Sequence, residues 1–288
     1  MDDDGWWQAR ARARARLRRA GRLVDRGRRM RLWVTVVLGA MAMVSTAAAQ
    51  SSTVPAEGGD IVVTPLMHAS VQIEYDELVL QVDPWSAAEL SDAKPADLIL
   101  VTDDSGHHLD VEAIAELRKM GAPVVLTAAA ARRFDEGTVM ANGERATVVG
   151  VPIEAVGAYD MTPGSPFHPK GEANGYVVTL GGTRLFLAGV GECVPEIQAL
   201  EDIDVAFMPM NLPVDRMRPR PVAECLKTFR PSIVYLNHYD QTFASWLGSR
   251  EGTPPPDRQD TPGTIRALRE ALEGEDVELR DVAWYPPR

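Results

Sequence analysis

The sequence predicts an α/β protein made of two β-sheets with helices on their outer sides. After residue 60, short β-rich runs separated by turn residues come first, and strand and helix patterns alternate later. Polar loops follow several of the expected strand ends. Together these observations favour a domain that combines hairpins with strand–helix units.

The first half of the chain is expected to contain mainly strands. They are predicted in the runs 60–75, 77–85 and 97–101. A helix is predicted at 110–121 with Asp110 as its N-cap, because an aspartate there accepts hydrogen bonds from the free N–H groups of the first turn. The run 123–134 predicts a strand followed by a helix.

The second half is expected to continue with strands and to end with a helix. Its expected elements are strands at 146–151 and 153–160, a hairpin at 174–189, a strand at 203–210, a helix at 220–230, a strand at 232–238 and a helix at 261–274. Gly181 and Gly182 suit the tight turn of the hairpin. Thr261 is the expected N-cap of the last helix, with Pro262 at its first position. The proline-rich stretch 252–263 is predicted to be a loop within the domain.

The N-terminal segment is expected to precede the folded domain. Residues 1–29 are a basic, low-complexity extension, which a mistaken start codon would explain. Residues 30–49 combine a basic residue, an apolar run and a small-residue end at Ala47–Ala49, as in a secretory signal that is cleaved after the last alanine. The apolar run is shorter than the roughly 20 residues of a membrane span, so an uncleaved anchor is the weaker alternative. Residues 50–59 are predicted to be a linker, followed by one domain at 60–288.

The net charge of the chain restricts the kinds of molecule that it can bind. Residues 1–49 contain eleven arginines and four aspartates, so the rest of the chain has 19 basic against 37 acidic residues and a net charge near −18. Such a chain repels nucleic acid and anionic membranes. We therefore expect an exported protein, periplasmic or extracellular, that acts on a small molecule and has no nucleic-acid or membrane partner after signal cleavage. Cys193 and Cys225 would pair in an oxidising compartment, but their spacing leaves free thiols equally open.

All five histidines of the chain follow or adjoin predicted strand ends, where α/β proteins collect functional side chains. They are His68, His107, His108, His168 and His238. Imidazole is the commonest metal ligand in proteins, and carboxylates complete such sites. A single histidine is more often structural, and this is the expectation for His68. The adjacent pair His107 and His108, beside Asp103, Asp104 and Asp110, favours a metal site.

Six landmarks occur in a fixed order from about Asp60 to the end of the chain. They are MHASVQIEY, LQVDPW, ADLILVT, FHPKGEANGYVVTLGGTRLFLAG, IDVAFMPMNLP and IVYLNHY. In this order they resemble the metallo-β-lactamase-fold hydrolases, especially the branch of ascorbate-lactone hydrolases. The resemblance implies an α+β, four-layer αββα sandwich of two mixed β-sheets flanked by helices. It also implies a divalent metal, with zinc as the first candidate, and attack of water on an ester, lactone, amide or phosphodiester.

The family's metal-binding loop, Thr-His-x-His-x-Asp-His, falls on residues 102–108. Asp103 takes the first ligand position, where some relatives also carry aspartate, and His108 keeps the last. His168 matches the third ligand of the first metal, and His238 matches the remaining ligand of the second. The resemblance gives His68 no ligand position, so its replacement is expected to leave metal binding intact.

Three departures fall on the implied metal centre. Ser105 replaces a histidine, His107 replaces an aspartate, and Val190 replaces the aspartate that bridges two metals. Serine is a poor zinc ligand and valine is none, so we expect at most one tightly held ion. Three imidazoles with an open fourth position form a known catalytic zinc arrangement, and here they would be His107, His108 and His238.

The candidate metal ligands are therefore Asp103, His107, His108, His168 and His238. Asp103 and His108 are also the candidate catalytic residues, with Asp103 or His168 orienting the water. One hypothesis is an exported hydrolase with a single metal, and the alternative is a degenerate relative that keeps the fold as a binding or structural protein. A serine hydrolase at Ser105 is disfavoured, because the flanking glycines of a nucleophile elbow are absent from its sequence context.

Overall fold

Two mixed β-sheets flanked by helices make up the structure, as the sequence predicts. This computed structural model describes residues 51–164, 166–210, 217–251, 261–280 and 282–285. These residues all belong to one compact unit, Ala47–Arg288. Outside the described residues lie the predicted extension 1–29, the predicted signal 30–49 and most of the predicted loop 252–263.

The first sheet contains seven strands among the described residues, in the spatial order β1 to β7. Their bounds are β1 Ser52–Val54, β2 Ile61–Met67, β3 Ser70–Tyr75, β4 Leu78–Val82, β5 Leu98–Leu100, β6 Val124–Leu126 and β7 Thr138–Val139. Strands β1 to β4 pair antiparallel, and strands β4 to β7 pair parallel. Two helices follow β5 and β6, namely α1 (Val111–Leu117) and α2 (Ala128–Ala131).

The second sheet repeats this arrangement with seven further strands in the described part of the chain. Their bounds are β8 Arg145–Val148, β9 Val151–Gly157, β10 Asn174–Leu180, β11 Thr183–Leu187, β12 Val205–Pro209, β13 Ile233–Asn237 and β14 Glu278–Arg280. Strands β8 to β11 pair antiparallel, and β11 to β14 pair parallel. The helices of this half are α3 Pro195–Gln198, α4 Pro219–Phe229, α5 Gln241–Ser249 and α6 Thr261–Ala271.

The main apolar core combines residues from both sheets. In β2, fully buried positions alternate with half-buried ones, as the two-residue period of a strand requires. Val63 of this strand and Phe207 of β12 belong to the same cluster. The two sheets therefore pack their apolar faces together and leave the ends of the parallel strands to the polar loops.

Two local predictions are confirmed. Asp110 caps α1, because its Oδ1 accepts hydrogen bonds from the N–H groups of Glu112 (3.0 Å) and Ala113 (3.1 Å). Gly181 and Gly182 form the turn between β10 and β11 with φ of 51° and 75°, values that glycine adopts without strain.

Two boundaries differ from the sequence-based prediction. The run 60–75 is divided into β2 and β3 at His68, whose φ of 58° turns the chain back on itself. The predicted linker 50–59 contains β1, because Val54 is buried and pairs with Ile61 of β2. Strand β1 thus extends the first sheet before the predicted start of the domain.

A disulfide joins Cys193, in the loop after β11, to Cys225 in α4. Their Cα atoms are 5.7 Å apart, within the usual range for a disulfide. The sequence left this pairing open, because only the fold shows that the two residues meet. Within the described ranges, no helix has the length and apolar composition that crossing a bilayer requires.

Candidate metal centre

Four histidine side chains meet at the ends of strands from both sheets. His68 occupies the turn between β2 and β3, His107 and His108 follow β5, and His238 directly follows β13. The ring centroids of His68 and His238 are 3.7 Å apart, and those of His107 and His238 are 5.3 Å apart. The structure therefore brings together three of the predicted ligands and adds His68, for which the sequence predicts a structural role.

The backbone fixes two of these histidines against each other. His68 and His238 both adopt left-handed conformations, with φ of 58° and 53°. The N–H of His238 donates a hydrogen bond to the carbonyl oxygen of His68 at 3.0 Å. Left-handed backbone is uncommon for residues other than glycine and is concentrated at functional sites. The left-handed turn at His68 and the left-handed residue after β13 thus place the two imidazoles side by side in the protein interior.

The spacing of the imidazole nitrogens suits a metal ion. The Nε2 atom of His238 lies 3.2 Å from Nε2 of His108 and 3.3 Å from Nε2 of His107. Two nitrogens bound to a tetrahedral zinc, each about 2.0–2.1 Å from the ion, are themselves about 3.3 Å apart. One ligand atom each from His68, His107 and His238 also forms a set within 4.8 Å of one another. The buried Nε2 of His68 has no hydrogen-bond partner in the structure, so its lone pair is free to bind a metal.

The electrostatics of the group keep three imidazoles neutral. Burial, together with the neighbouring histidines, lowers the pKa of His68 and of His238 well below the usual value. Burial and the nearby His108 lower the pKa of His107 to about 3. A neutral imidazole offers a nitrogen lone pair, which is the form that binds metals. His68, His107 and His238 therefore form a donor set that fits a divalent transition metal.

His108 differs from the other three because a buried carboxylate holds it. Its Nδ1 lies 2.7 Å from Oδ2 of Asp83, and both side chains are almost fully buried. Burial would lower the pKa of His108, but the ion pair with Asp83 outweighs it, and the pKa is raised. Thr102 donates to the same carboxylate through its hydroxyl (2.6 Å) and its backbone N–H (2.8 Å). Asp83 therefore fixes Nδ1 of His108 and leaves its Nε2 facing His238.

Asp103 is a buried carboxylate at the entrance of the same loop. Its side chain accepts a hydrogen bond from the N–H of Ser105 at 3.1 Å, and the residue is 5% exposed. Burial acts to raise its pKa, but His108, Ser105 and His168 together lower it. Asp103 is thus ionised at neutral pH and can accept a proton.

His168 lies outside the close group of imidazoles. It is half-buried on the loop between β9 and β10, with Nδ1 3.6 Å from Oδ1 of Asp160. Its backbone N–H donates to the other oxygen of the same carboxylate at 3.1 Å. His168 is close enough for its charge to lower the pKa of Asp103 and of His107. The structure therefore places it beside the centre.

Val190 occupies the position where the resemblance implies a bridging carboxylate. It is 2% exposed and forms a small apolar cluster with Ala158 and Ala173. The flanking Gly189 and Gly191 have φ of 67° and 100°. A Cβ atom at residue 191 would lie 2.5 Å from the backbone nitrogen of Tyr159, so this segment packs closely against its neighbours. Residues 189–191 therefore offer no carboxylate where the resemblance implies the bridge between two metals.

Sequence reasoning missed two residues of the centre. His68 lies in the landmark MHASVQIEY, and Asp83 lies in LQVDPW. Their position in the sequence could have identified them. His68 directly follows β2, Asp83 directly follows β4, and both strands end at the same edge of the first sheet. The pairing of Asp83 with His108 depends on the parallel contact of β4 with β5, which the sequence does not show.

Residues 62–238 match the family described as β-lactamase superfamily domain. A UPF0173 metal-dependent hydrolase of Pyrobaculum calidifontis is 29% identical over 189 residues, which cover 60% of this chain and 81% of the relative. A second, from Pyrococcus furiosus, is 31% identical over 194 residues, covering 62% and 84%. The solved structure of a protein described as a metal-dependent hydrolase, from Parabacteroides distasonis, superposes with a TM-score of 0.69 at 32% identity, covering 81% of this chain and 97% of the other.

The family match begins in β2 and ends at His238, so it spans all four imidazoles of the centre. The superposition confirms the sandwich of two mixed sheets that the sequence resemblance implies. The chain therefore belongs to the β-lactamase superfamily, among the metallo-β-lactamase-fold hydrolases.

Proposed function

We propose that this chain is an exported hydrolase that works with a single divalent metal, zinc being the first candidate. One observation carries the proposal, namely the buried set of neutral imidazoles from His68, His107 and His238. Sites rich in imidazole suit zinc and the neighbouring transition metals. Metal dependence also agrees with the names of the similar proteins from two archaea.

A bound metal would supply Lewis-acid polarisation of the scissile group and a water of lowered pKa. The residues around it prepare the rest of the reaction. Asp103 provides an ionised carboxylate that can accept a proton and orient water. His108, fixed at Nδ1 by Asp83, presents its Nε2 to the same centre, 3.2 Å from Nε2 of His238. The ring of Trp85 lies beside the centre, with its centroid 6.0 Å from those of His68 and His107. Its apolar surface covers part of the centre and reduces the contact of these imidazoles with bulk water.

A single metal is proposed because the position that the resemblance gives to the first metal has lost ligands, and so has the bridge between the two metals. Val190 contributes only methyl groups where a carboxylate would bridge two ions. Ser105 is a poor zinc ligand. The remaining imidazole of that side, His168, lies beside Asp160 on another loop.

The proposed substrate is a small ester, lactone or phosphodiester. The mature chain is strongly acidic, with 37 acidic against 19 basic residues after residue 49. Long-range repulsion therefore favours neutral substrates over anionic ones, and an ester or lactone over a phosphodiester.

Export is proposed from the predicted signal at 30–49 and is supported by the disulfide Cys193–Cys225. Disulfides form and persist in the periplasm and outside the cell, and are rare in the reducing cytosol. N-terminal sequencing of the exported protein is expected to start at or near Gln50. Retention of Leu32 in the mature protein would support a membrane anchor instead.

Hydrolysis is tested with lactone, ester and phosphodiester reporters on protein purified without a histidine tag. Turnover is expected with the zinc-loaded chain, and a chelator is expected to abolish it until zinc is restored. His107→Ala removes a proposed ligand, so its turnover is expected to fall to the background level even with added zinc. Metal binding without turnover of any reporter would favour a binding role, and a wild-type chain that takes up no metal would favour a structural one.

A further inference from the structure

The C-terminal segment contacts the metal centre from outside the stretch that matches the family. Tyr285 lies far beyond His238, where the family match ends. Its hydroxyl oxygen is 2.5 Å from Nδ1 of His68, across 217 residues of chain. The preceding residue, Trp284, accepts a hydrogen bond from the backbone N–H of His68 at 3.2 Å. His68 is thus held through both its backbone and its ring by two consecutive residues of this segment.

The hydroxyl of Tyr285 is itself fixed in place. Its oxygen accepts a hydrogen bond from the backbone N–H of Asp240 at 3.1 Å, at the start of α5. The ring packs against Tyr239 and Phe243, with centroid distances of 5.1 and 5.9 Å. Tyr285 is 4% exposed, so its hydroxyl position is set by the fold.

The proton between Tyr285 and His68 determines whether His68 can bind a metal. A neutral imidazole carries one proton, on either Nδ1 or Nε2. If the proton is on Nδ1, it is donated to the oxygen of Tyr285, whose own hydroxyl proton then points away from the ring of His68, and the Nε2 lone pair is left free for a metal. If it is on Nε2, a buried N–H without a partner results, because the structure gives this nitrogen no hydrogen-bond acceptor. The unpartnered Nε2 therefore favours the first arrangement.

We propose that Tyr285 is a positioning residue of the metal centre, which accepts the Nδ1 proton of His68 and so directs the Nε2 lone pair toward the metal position. This inference rests on the proposed metal site at His68, His107 and His238. It makes the C-terminal segment part of that site. Outer hydrogen-bond partners of this kind orient ligating histidines, and their loss typically costs 10–100-fold in metal affinity.

The test compares Tyr285→Phe with the wild-type chain and with a matched control, Tyr235→Phe. Tyr235 is also a buried tyrosine, but its hydroxyl bonds to Ser52 and Arg280. Each variant removes one buried hydroxyl and keeps the ring. Zinc affinity, measured by competition with a chromophoric chelator, is expected to fall about 10–100-fold in Tyr285→Phe and to stay at the wild-type value in Tyr235→Phe. Equal affinities in wild type and Tyr285→Phe would overturn the inference.

A second readout does not depend on metal or on the variants. Nitrogen-15 spectra of the zinc-free wild-type chain report which ring nitrogen of His68 carries the proton. A proton on Nδ1 supports the inference, and a proton on Nε2 overturns it. If the wild-type chain binds no zinc, the proposed function fails, while this spectrum still decides the role of Tyr285.

Discussion

Replacing Asp83 with alanine is expected to lower the free energy of unfolding by about 3–5 kcal/mol. His108 would then be left fully buried without its counter-charge, because its Nδ1 bonds to this carboxylate at 2.7 Å. Thr102 would also lose the acceptor for its backbone N–H and its hydroxyl. Urea denaturation of the variant and the wild-type chain measures the difference.

An exposed ion pair provides the control for Asp83→Ala. Glu136 bonds to Arg118 at 2.8 Å, but the Glu136 side chain is 69% exposed. Exposed pairs contribute at most about 1 kcal/mol, so Glu136→Ala is expected to change the unfolding free energy little. Similar losses in the two variants would contradict the view that burial gives the Asp83–His108 pair its importance.

Replacing Val190 with aspartate is expected to cost several kcal/mol of stability and to add no second metal. The new carboxylate would lie in the apolar cluster of Ala158 and Ala173, where a buried charge has no partner. The triple change Ser105→His, His107→Asp and Val190→Asp restores the family residue at each departure. We expect this triple variant to be less stable as well, and to bind less metal than wild type because it loses a proposed ligand. Melting temperature and metal content of one preparation measure both effects.

Val190→Asn is the matched control, because asparagine has nearly the shape of aspartate without its charge. A milder loss of stability in Val190→Asn than in Val190→Asp would assign the difference to the buried charge. A triple variant that holds two ions at wild-type stability would contradict the proposal and show that the scaffold still accepts a two-metal centre.

The sequence predicted most of the fold because strand periodicity and turn residues are local signals. The caps and turns at Asp110 and at Gly181–Gly182 depend on neighbours only a few residues away, and both predictions are confirmed. Short elements such as β1 and β14 were missed, since three residues carry too little periodicity and depend on pairing with distant strands. The sequence also did not predict that the two sheets have the same topology. Their strands follow the same order, but the two halves of the chain share no repeated sequence.

The candidate site was predictable only in part. His107, His108 and His238 stand at strand ends and follow the resemblance, and the structure brings them together. His68 and Tyr285 reach the same centre from opposite ends of the domain, which is a tertiary contact that no local pattern encodes. The disulfide was undetermined for the same reason.

The metal content of the untagged chain tests the central claim most directly. After zinc loading and removal of free metal, the wild-type protein is expected to hold about one ion per chain, because three neutral imidazoles form one donor set with an open fourth position. His68→Ala is expected to hold little or none, the reverse of the expectation from the sequence, because His68 belongs to the donor set. His168→Ala, which changes an imidazole outside the close group, is expected to stay near one. A ratio near two in the wild type, or an unchanged ratio in His68→Ala, would contradict a single site built on His68, His107 and His238.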